Sequence, residues 1–383
     1  MDIPQRFDNI RPYTPEELPA AYDKLAADPF FPAIAAYVLP GVPSEKVSEA
    51  MHACRTSLEF QKVFCHPFLK RLEAKATKGC SLDHSAIDKS QRHTFVSNHR
   101  DIVIDSAFLS MLLIDSGFDT TCEIAIGDNL LSLPWVETLV RINKSFRVER
   151  GLTPSAKLQS AQALSAYMHF AIAQKGENLW IAQSEGRCKD SDDRTQTAVL
   201  KMLAMEGEGP VEQRLAELNI VPLSISYEYD PCDYLKAAEL QRRRDDPGFK
   251  KAPGEDEHSM LTGVTGYKGE VHYHMGGCIN PFLEIIPTGQ SRNATLAQVA
   301  AHIDRVIHSN YRLYPGNYVA LDLLNGSTAH AAHYTAEQKE AFESYIAGQM
   351  AKIAIPEPDT AFLRRSMLLM YANPAANHLA AIA

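Results

Sequence analysis

The chain has 383 residues, 45% of them apolar and 22% charged, enough to bury one large core or two smaller ones. Its formal net charge of −9 argues against a nucleic-acid partner, which needs a basic field. Seven cysteines with no C-x-x-C spacing argue against a disulfide framework or zinc finger and point to free thiols in a reducing compartment.

The start, Met1 to Asp8, carries no apolar signal region. The best candidate for a membrane span, Phe30 to Val42, is short and broken by Pro32 and Pro40. The expectation is a cytoplasmic protein with peripheral membrane contact. Residues 1–90 read as a helical region punctuated by proline: Pro15 to Leu18, then Ser44 to Leu72, with Ser44 as a helix N-cap.

From about 91 to 286 the pattern alternates. Strand-like runs are His93–Ser97, Glu123–Ile126, Ser145–Val148, Leu179–Gln183, Ile220–Tyr227 and Val271–His274. Helical stretches lie between most of them: Ser106–Leu113, Leu130–Ile142, Pro154–Gln174 and Thr195–Met205. Such alternation predicts an α/β fold with a mostly parallel central sheet flanked by helices. Lys236 to Arg244 starts as a helix and runs into Asp245 to Thr262, a charged, Gly- and Pro-containing stretch that reads as a mobile loop. Residues 287–383 turn helical again, over Ala294–Ser309, Ala336–Lys352 and Thr360–Tyr371, as a C-terminal extension packed on the core.

The stretch Ser97-Asn98-His99-Arg100-Asp101-Ile102-Val103-Ile104-Asp105 carries the chemistry. It joins a strand end to a buried apolar helix. A histidine at such a turn titrates near neutrality and can act as a base when a carboxylate fixes its tautomer. Taken alone, a histidine there more often caps a helix or sits in a polar loop. Three further segments follow in order: Gly127-Asp128-Asn129-Leu130 through Phe146-Arg147-Val148-Glu149-Arg150, then Ser184-Glu185-Gly186-Arg187, then Ile220-Val221-Pro222-Leu223.

This order resembles the four blocks of the glycerolipid acyltransferase superfamily: H-x-x-x-x-D, F-x-x-R, E-G-x-R and a proline-containing apolar strand. The similarity runs from about 93 to 278. The resemblance implies an α/β acyltransferase core over 91–286, a His-Asp site at its edge, a fatty acyl thioester donor carried by coenzyme A or acyl carrier protein, a lipid acceptor, and work at the inner membrane face. It implies no metal and no cofactor beyond the donor.

Two departures stand out. The position five after His99 is Ile104, so the carboxylates are Asp105, reached by one inserted residue, or Asp101 reaching back. Glu185-Gly186 is followed directly by Arg187, so Lys189 or Arg194 could share the role of the block's arginine.

The reaction can also be argued from residue types. His99 serves as base and Asp105 orients it. Backbone N–H groups at the start of the following helix are available for an oxyanion. Arg150 and Arg187 follow strand-like runs, where parallel sheets place ligand sites, and suit a phosphate or carboxylate. Glu185 could steer Arg187 or bind an acceptor hydroxyl, although Glu185-Gly186 taken alone reads as a plain turn, and Arg100, Asp101 and Lys189 are further candidates. No G-x-S-x-G is present, which favours direct attack by the acceptor over an acyl-enzyme.

The reading is an acyltransferase that loads a hydroxyl of a glycerol phosphate or lyso-lipid. A lyso-aminolipid acceptor, a thioester hydrolase and an inactive lipid-binding module are the alternatives. His330 and His333 have helical metal spacing without a third ligand and read as a surface helix end. His272 and His274 share a strand face and read as packing. Trp135 and Trp180 read as core, and the glycines of 263–269 lack the ending of a phosphate loop.

Overall fold

The computed structural model describes residues 3–131, 133–287 and 289–383. The fold is α/β, built on one seven-stranded sheet in the order β1-β7-β6-β2-β5-β3-β4. The strands are β1 Gly79–Asp83, β2 Thr94–Ser97, β3 Cys122–Gly127, β4 Ser145–Val148, β5 Asn178–Ala182, β6 Ile220–Tyr227 and β7 Glu270–Met275. Strands β2 to β6 run parallel, and the pair β7 and β1 runs against them, with Ser224 opposite His274 in the antiparallel β6–β7 ladder. The carboxyl ends of five parallel strands therefore share one edge. Ligand sites of open parallel sheets form at that edge.

Both faces of the sheet are covered, so successive strand residues are buried on opposite sides. Val96, Leu179, Ile181 and Ile220 join a core with Tyr167 and Ile303 on one face. Phe95, Trp180, Val221 and Ile225 join Phe108, Leu109 and Leu72 on the other. Trp180 is core, as its strand predicts, while Trp135 is only partly buried against the N-terminal helices.

In chain order the N-terminal helices are α1 Leu18–Ala26, α2 Phe31–Val38, α3 Ser44–Ala53, α4 Ser57–Phe60 and α5 His66–Ala76. Ser44 is not the cap of α3: Pro43 occupies that position in an extended conformation, and Ser44 is already helical with no capping bond. Strand β1 interrupts the region that reads as helical. It is a partly exposed edge strand without apolar alternation, so nothing in its pattern marks it.

The core helices are α6 Ile104–Asp115, α7 Pro134–Ile142, α8 Pro154–Phe170, α9 Thr197–Leu203, α10 Val211–Ala216, α11 Asp233–Asp245, α12 Glu255–Thr265 and α13 Asn280–Glu284. Of the helix expected over 130–142, residue 132 lies outside the described residues, and a 3-10 turn precedes α7. The stretch expected to be a mobile loop contains α12. Its first acidic residue, Glu255, accepts both Nη groups of Arg242 at 2.9 and 2.8 Å, and Ser259 and Gly263 are buried against the core.

Four helices close the chain: α14 Arg292–Ser309, α15 Pro315–Asn325, α16 Ala336–Met350 and α17 Thr360–Ile382. Leu296, Val299, Ile303 and Ile307 of α14 bury against the sheet. The rest form their own cluster with Ala237 of α11. Helix α17 runs past Pro374, where a stop was expected. Asn373 and Asn377 on either side of the proline donate to the carbonyls of Asp190 and Asp192, tying the second half down. No described helix is long and apolar enough to cross a membrane.

Candidate active site

The turn after β2 is fixed before it reaches His99. Asn98 is fully buried and bonds both ways to Ile225 of β6, its amide donating at 2.9 Å and its oxygen accepting at 2.8 Å. The clamp extends the β2–β6 pairing by side chain where the ladder ends. His99 then sits over the end of β5, its ring edge on Trp180 at 5.5 Å between centroids.

His99 Nδ1 lies 2.8 Å from Oδ2 of Asp105, the first-turn residue of α6, whose side chain is fully buried. An ionised carboxylate accepts only, so the geometry assigns the proton to Nδ1 and leaves Nε2 a lone pair. Nε2 has no hydrogen-bond partner among the described residues, and 12% of the side chain is exposed.

Asp105 is held from four sides. Oδ2 also accepts the Arg100 and Asp101 amides at 2.6 and 3.1 Å, and Oδ1 accepts the Tyr227 hydroxyl at 2.8 Å. Tyr273 donates to its backbone carbonyl at 2.9 Å. Burial pushes this carboxyl up, but its bonds and charge contact with His99, the Asp101 amide and Tyr227 outweigh that and hold it below the ordinary aspartate range. Tyr227 and Tyr273 were not legible as site residues. Only the inward alternation of β6 and β7 could have pointed to them.

Asp101 faces away from His99. Its Oδ1 accepts the Val103 and Ile104 amides at 2.9 and 2.8 Å, capping α6. Burial, then the neighbouring Asp105, pushes its carboxyl up, opposed by those amides and by Arg187. The extra residue in the turn is thus absorbed between 101 and 103, and the histidine meets the carboxylate six positions on.

The amides of Arg100, Asp101, Val103 and Ile104 are taken by the two aspartates, so the first-turn amides of α6 left for an oxyanion are those of Asp105 and Ser106.

Arg150 and Glu185 meet at the same sheet edge, Nη1 to Oε1 at 2.9 Å, both partly or largely exposed. Gly127 permits this. A Cβ there would meet Arg150 Cδ at 3.2 Å and crowd its Nε more closely still. The Arg150 amide donates to Asp128 at 3.1 Å. Gly186 turns the β5 loop with φ +77°, a conformation that favours glycine. Arg187 beside it has a buried Nη1 with no partner among the described residues, and its charge reaches Asp101.

The other candidates are engaged elsewhere. Arg100 is buried and forks onto Asp193, Nη1 to Oδ1 at 3.0 Å and Nη2 to Oδ2 at 2.6 Å, under the ring of Tyr311. Lys189 pairs with Glu239 at 3.1 Å and Arg194 with Asp192 at 3.0 Å. His272 contacts Ser81 Oγ at 2.8 Å, and burial takes its pKa down to about 4. His333 stacks on Tyr318. All seven cysteines are free.

Residues 83–226, which hold β2 to β5, all but the last residue of β6, and His99, Asp101, Asp105, Arg150, Glu185, Gly186 and Arg187, match the family model described as acyltransferase. That segment is similar to acyltransferase domains. Among solved structures it is similar to the 1-acyl-sn-glycerophosphate acyltransferase PlsC from Thermotoga maritima, with 12% identity over 76% of this chain and 97% of that one and a TM-score of 0.38. No curated protein matches the chain.

Proposed function

We propose that the chain is an acyltransferase of the glycerolipid acyltransferase superfamily that moves a fatty acyl group from a coenzyme A or acyl carrier protein thioester to a hydroxyl of a glycerol phosphate or lyso-lipid, at the inner face of the membrane. His99 is the general base. As the acceptor oxygen attacks the thioester carbonyl, Nε2 takes the hydroxyl proton; the C–O bond forms, the C–S bond breaks, and the proton passes to the leaving thiolate. Asp105 holds the ring and balances the imidazolium. Arg150 and Arg187 receive the anionic end of the acceptor, with Glu185 steering Arg150 and Gly186 shaping the turn.

The observation that carries this reading is the contact of His99 Nδ1 with a fully buried, four-times-bonded Asp105 while Nε2 stays unpartnered among the described residues. A helix-capping histidine would spend its nitrogens on backbone.

The test is incubation with a labelled acyl thioester and a membrane lipid extract. A labelled lipid of glycerol phosphate or lyso-lipid origin is expected. Release of free thiol at the same rate without any acceptor would instead identify a hydrolase.

A further inference from the structure

A second group of cations gathers between α11 and the loop after β5. Glu239 of α11 has a side chain only 6% exposed, yet three cations converge on it. Lys189 from the β5 loop lies at 3.1 Å, Arg243 one turn along at 2.8 Å, and Lys251 at 3.3 Å. Lys251 also reaches Asp256 at 2.6 Å. Three cations thus share two carboxylates, and Arg187 adjoins them with its unpartnered Nη1. The neighbouring Arg242 is already matched by Glu255. Crowding has a cost: burial lowers the pKa of Lys189, Glu239 opposes this, and Lys251 and Arg187 press it lower again. Such a cluster favours one more anion.

Its position says which. Lys236 on α11 donates to the Arg100 carbonyl at 3.0 Å, beside the His99 turn. Arg243 lies seven residues further along the same helix, an axial rise of about 10 Å. A compact acceptor keeps its phosphate near its reacting hydroxyl. A phosphopantetheine donor holds its phosphate a long extended arm away from the thioester. Lys189 and Lys251 are each about three-quarters buried and Arg243 is half-exposed, so the cluster is partly recessed rather than a flat surface laid on a bilayer.

We propose that Lys189, Arg243 and Lys251 form a subsite for the phosphate end of the phosphopantetheine-bearing donor, whether coenzyme A or an acylated carrier protein. The inference rests on the thioester reading above.

The double variant Arg243→Gln/Lys251→Gln tests it. Calorimetry with free coenzyme A, with phosphopantetheinylated carrier protein and with phosphate-free pantetheine separates the sources. Affinity for coenzyme A or for the carrier should fall about tenfold or more, as for lost charge-assisted contacts. Pantetheine binding should not follow. The kcat/KM ratio of the phosphate-bearing thioester to the pantetheine thioester should fall with it, and Lys251→Arg, with Arg243 retained, should hold that ratio near the unsubstituted protein's. Equal affinities in both proteins, or binding of neither phosphate-bearing ligand, overturn the inference. So does loss of binding to anionic phosphatidylglycerol vesicles with the donor ratio unmoved, since the cluster would then read head groups. Normal donor binding with no acyl transfer from any thioester would sink the proposed function and leave the subsite standing.

Discussion

Gly263 of α12 lies directly against the carboxylate of Asp101, so that a Cβ on it would overlap Oδ2 and stand 2.8 Å from Cγ. Asp101 cannot swing aside cheaply, because its other oxygen caps α6 through Val103 and Ile104. A methyl group at 263 therefore has to move either α12 or the turn that carries His99. Overpacking of this kind costs about 1–3 kcal/mol. Gly263→Ala should lower the denaturation midpoint and depress turnover together. An unchanged midpoint with normal turnover would show that α12 slides freely over the turn.

That contact also marks the limit of what the sequence told. The alternation of β2 to β6 was readable because each strand is buried on both faces and bounded by helices, and three of the four chemical segments follow the carboxyl ends of β2, β3 to β4, and β5, while Ile220–Leu223 opens β6. Glycine 263 carried no such mark: its value lies in a partner 162 positions earlier in the chain. The partners of Arg100 and Lys189 were not legible, because sequence shows charge and not contacts: Asp193 and Glu239 lie 93 and 50 residues away. The charged stretch before α12 read as a loop because its helix is stabilised by pairs such as Arg242–Glu255 and not by an apolar stripe. The amides of the His99 turn looked free because the two aspartates that consume them could not be assigned from spacing.

Membrane attachment should be peripheral and partly owed to the N-terminal helices. Phe30 is 59% exposed and Tyr37 54% exposed, whereas Phe31 is buried in the helical core and can take no part. An acyl chain leaving a bilayer loses about 0.8 kcal/mol per methylene, so under the proposed function the site is expected to work close to the surface. Phe30→Ser/Tyr37→Ser should weaken vesicle binding several-fold with the midpoint of unfolding unchanged, and high salt or carbonate should release the unsubstituted protein. Retention until detergent is added would contradict this.

Asp233 predicts a pH dependence of stability. Burial, then the adjacent Asp230, pushes its carboxyl up to about 7, against hydrogen bonds from Tyr371, Tyr345 and Gln349. The unfolded chain titrates it near 3.8. Between these values the folded state binds the extra proton, so raising the pH through that window subtracts stability. Asp233→Asn removes the proton. The stability of the unsubstituted protein relative to this variant should therefore decline from about pH 4 to about pH 7 and level off above. A flat difference in denaturant midpoints would show the carboxylate to be ionised throughout.

Arg150 should report on the acceptor. Lysine keeps the charge but not the planar fork that now meets Glu185 and that the proposed function assigns to an anionic acceptor. Arg150→Lys is expected to raise the acceptor KM several-fold and to leave the donor KM nearly unchanged. Movement of the donor KM alone would assign Arg150 to the thioester side.

The two aspartates of the His99 turn should separate sharply. Asp105 accepts from His99 Nδ1, from the Arg100 and Asp101 amides and from Tyr227. Asparagine has one acceptor oxygen, so its NH2 would face donors wherever it turned, and an amide cannot balance an imidazolium. Asp105→Asn should cut turnover by about 100- to 10,000-fold, approaching His99→Ala, since both remove the same base. Asp101 works through backbone amides, and asparagine caps a helix nearly as well as aspartate. Asp101→Asn should then keep turnover within several-fold of the unsubstituted enzyme. Both variants are to be measured at saturating donor and acceptor, with circular dichroism to confirm folding. If Asp101→Asn proves the damaging change and Asp105→Asn is tolerated, the base is oriented by Asp101 in the working enzyme, and the pairing across the inserted residue is not the one that catalysis uses.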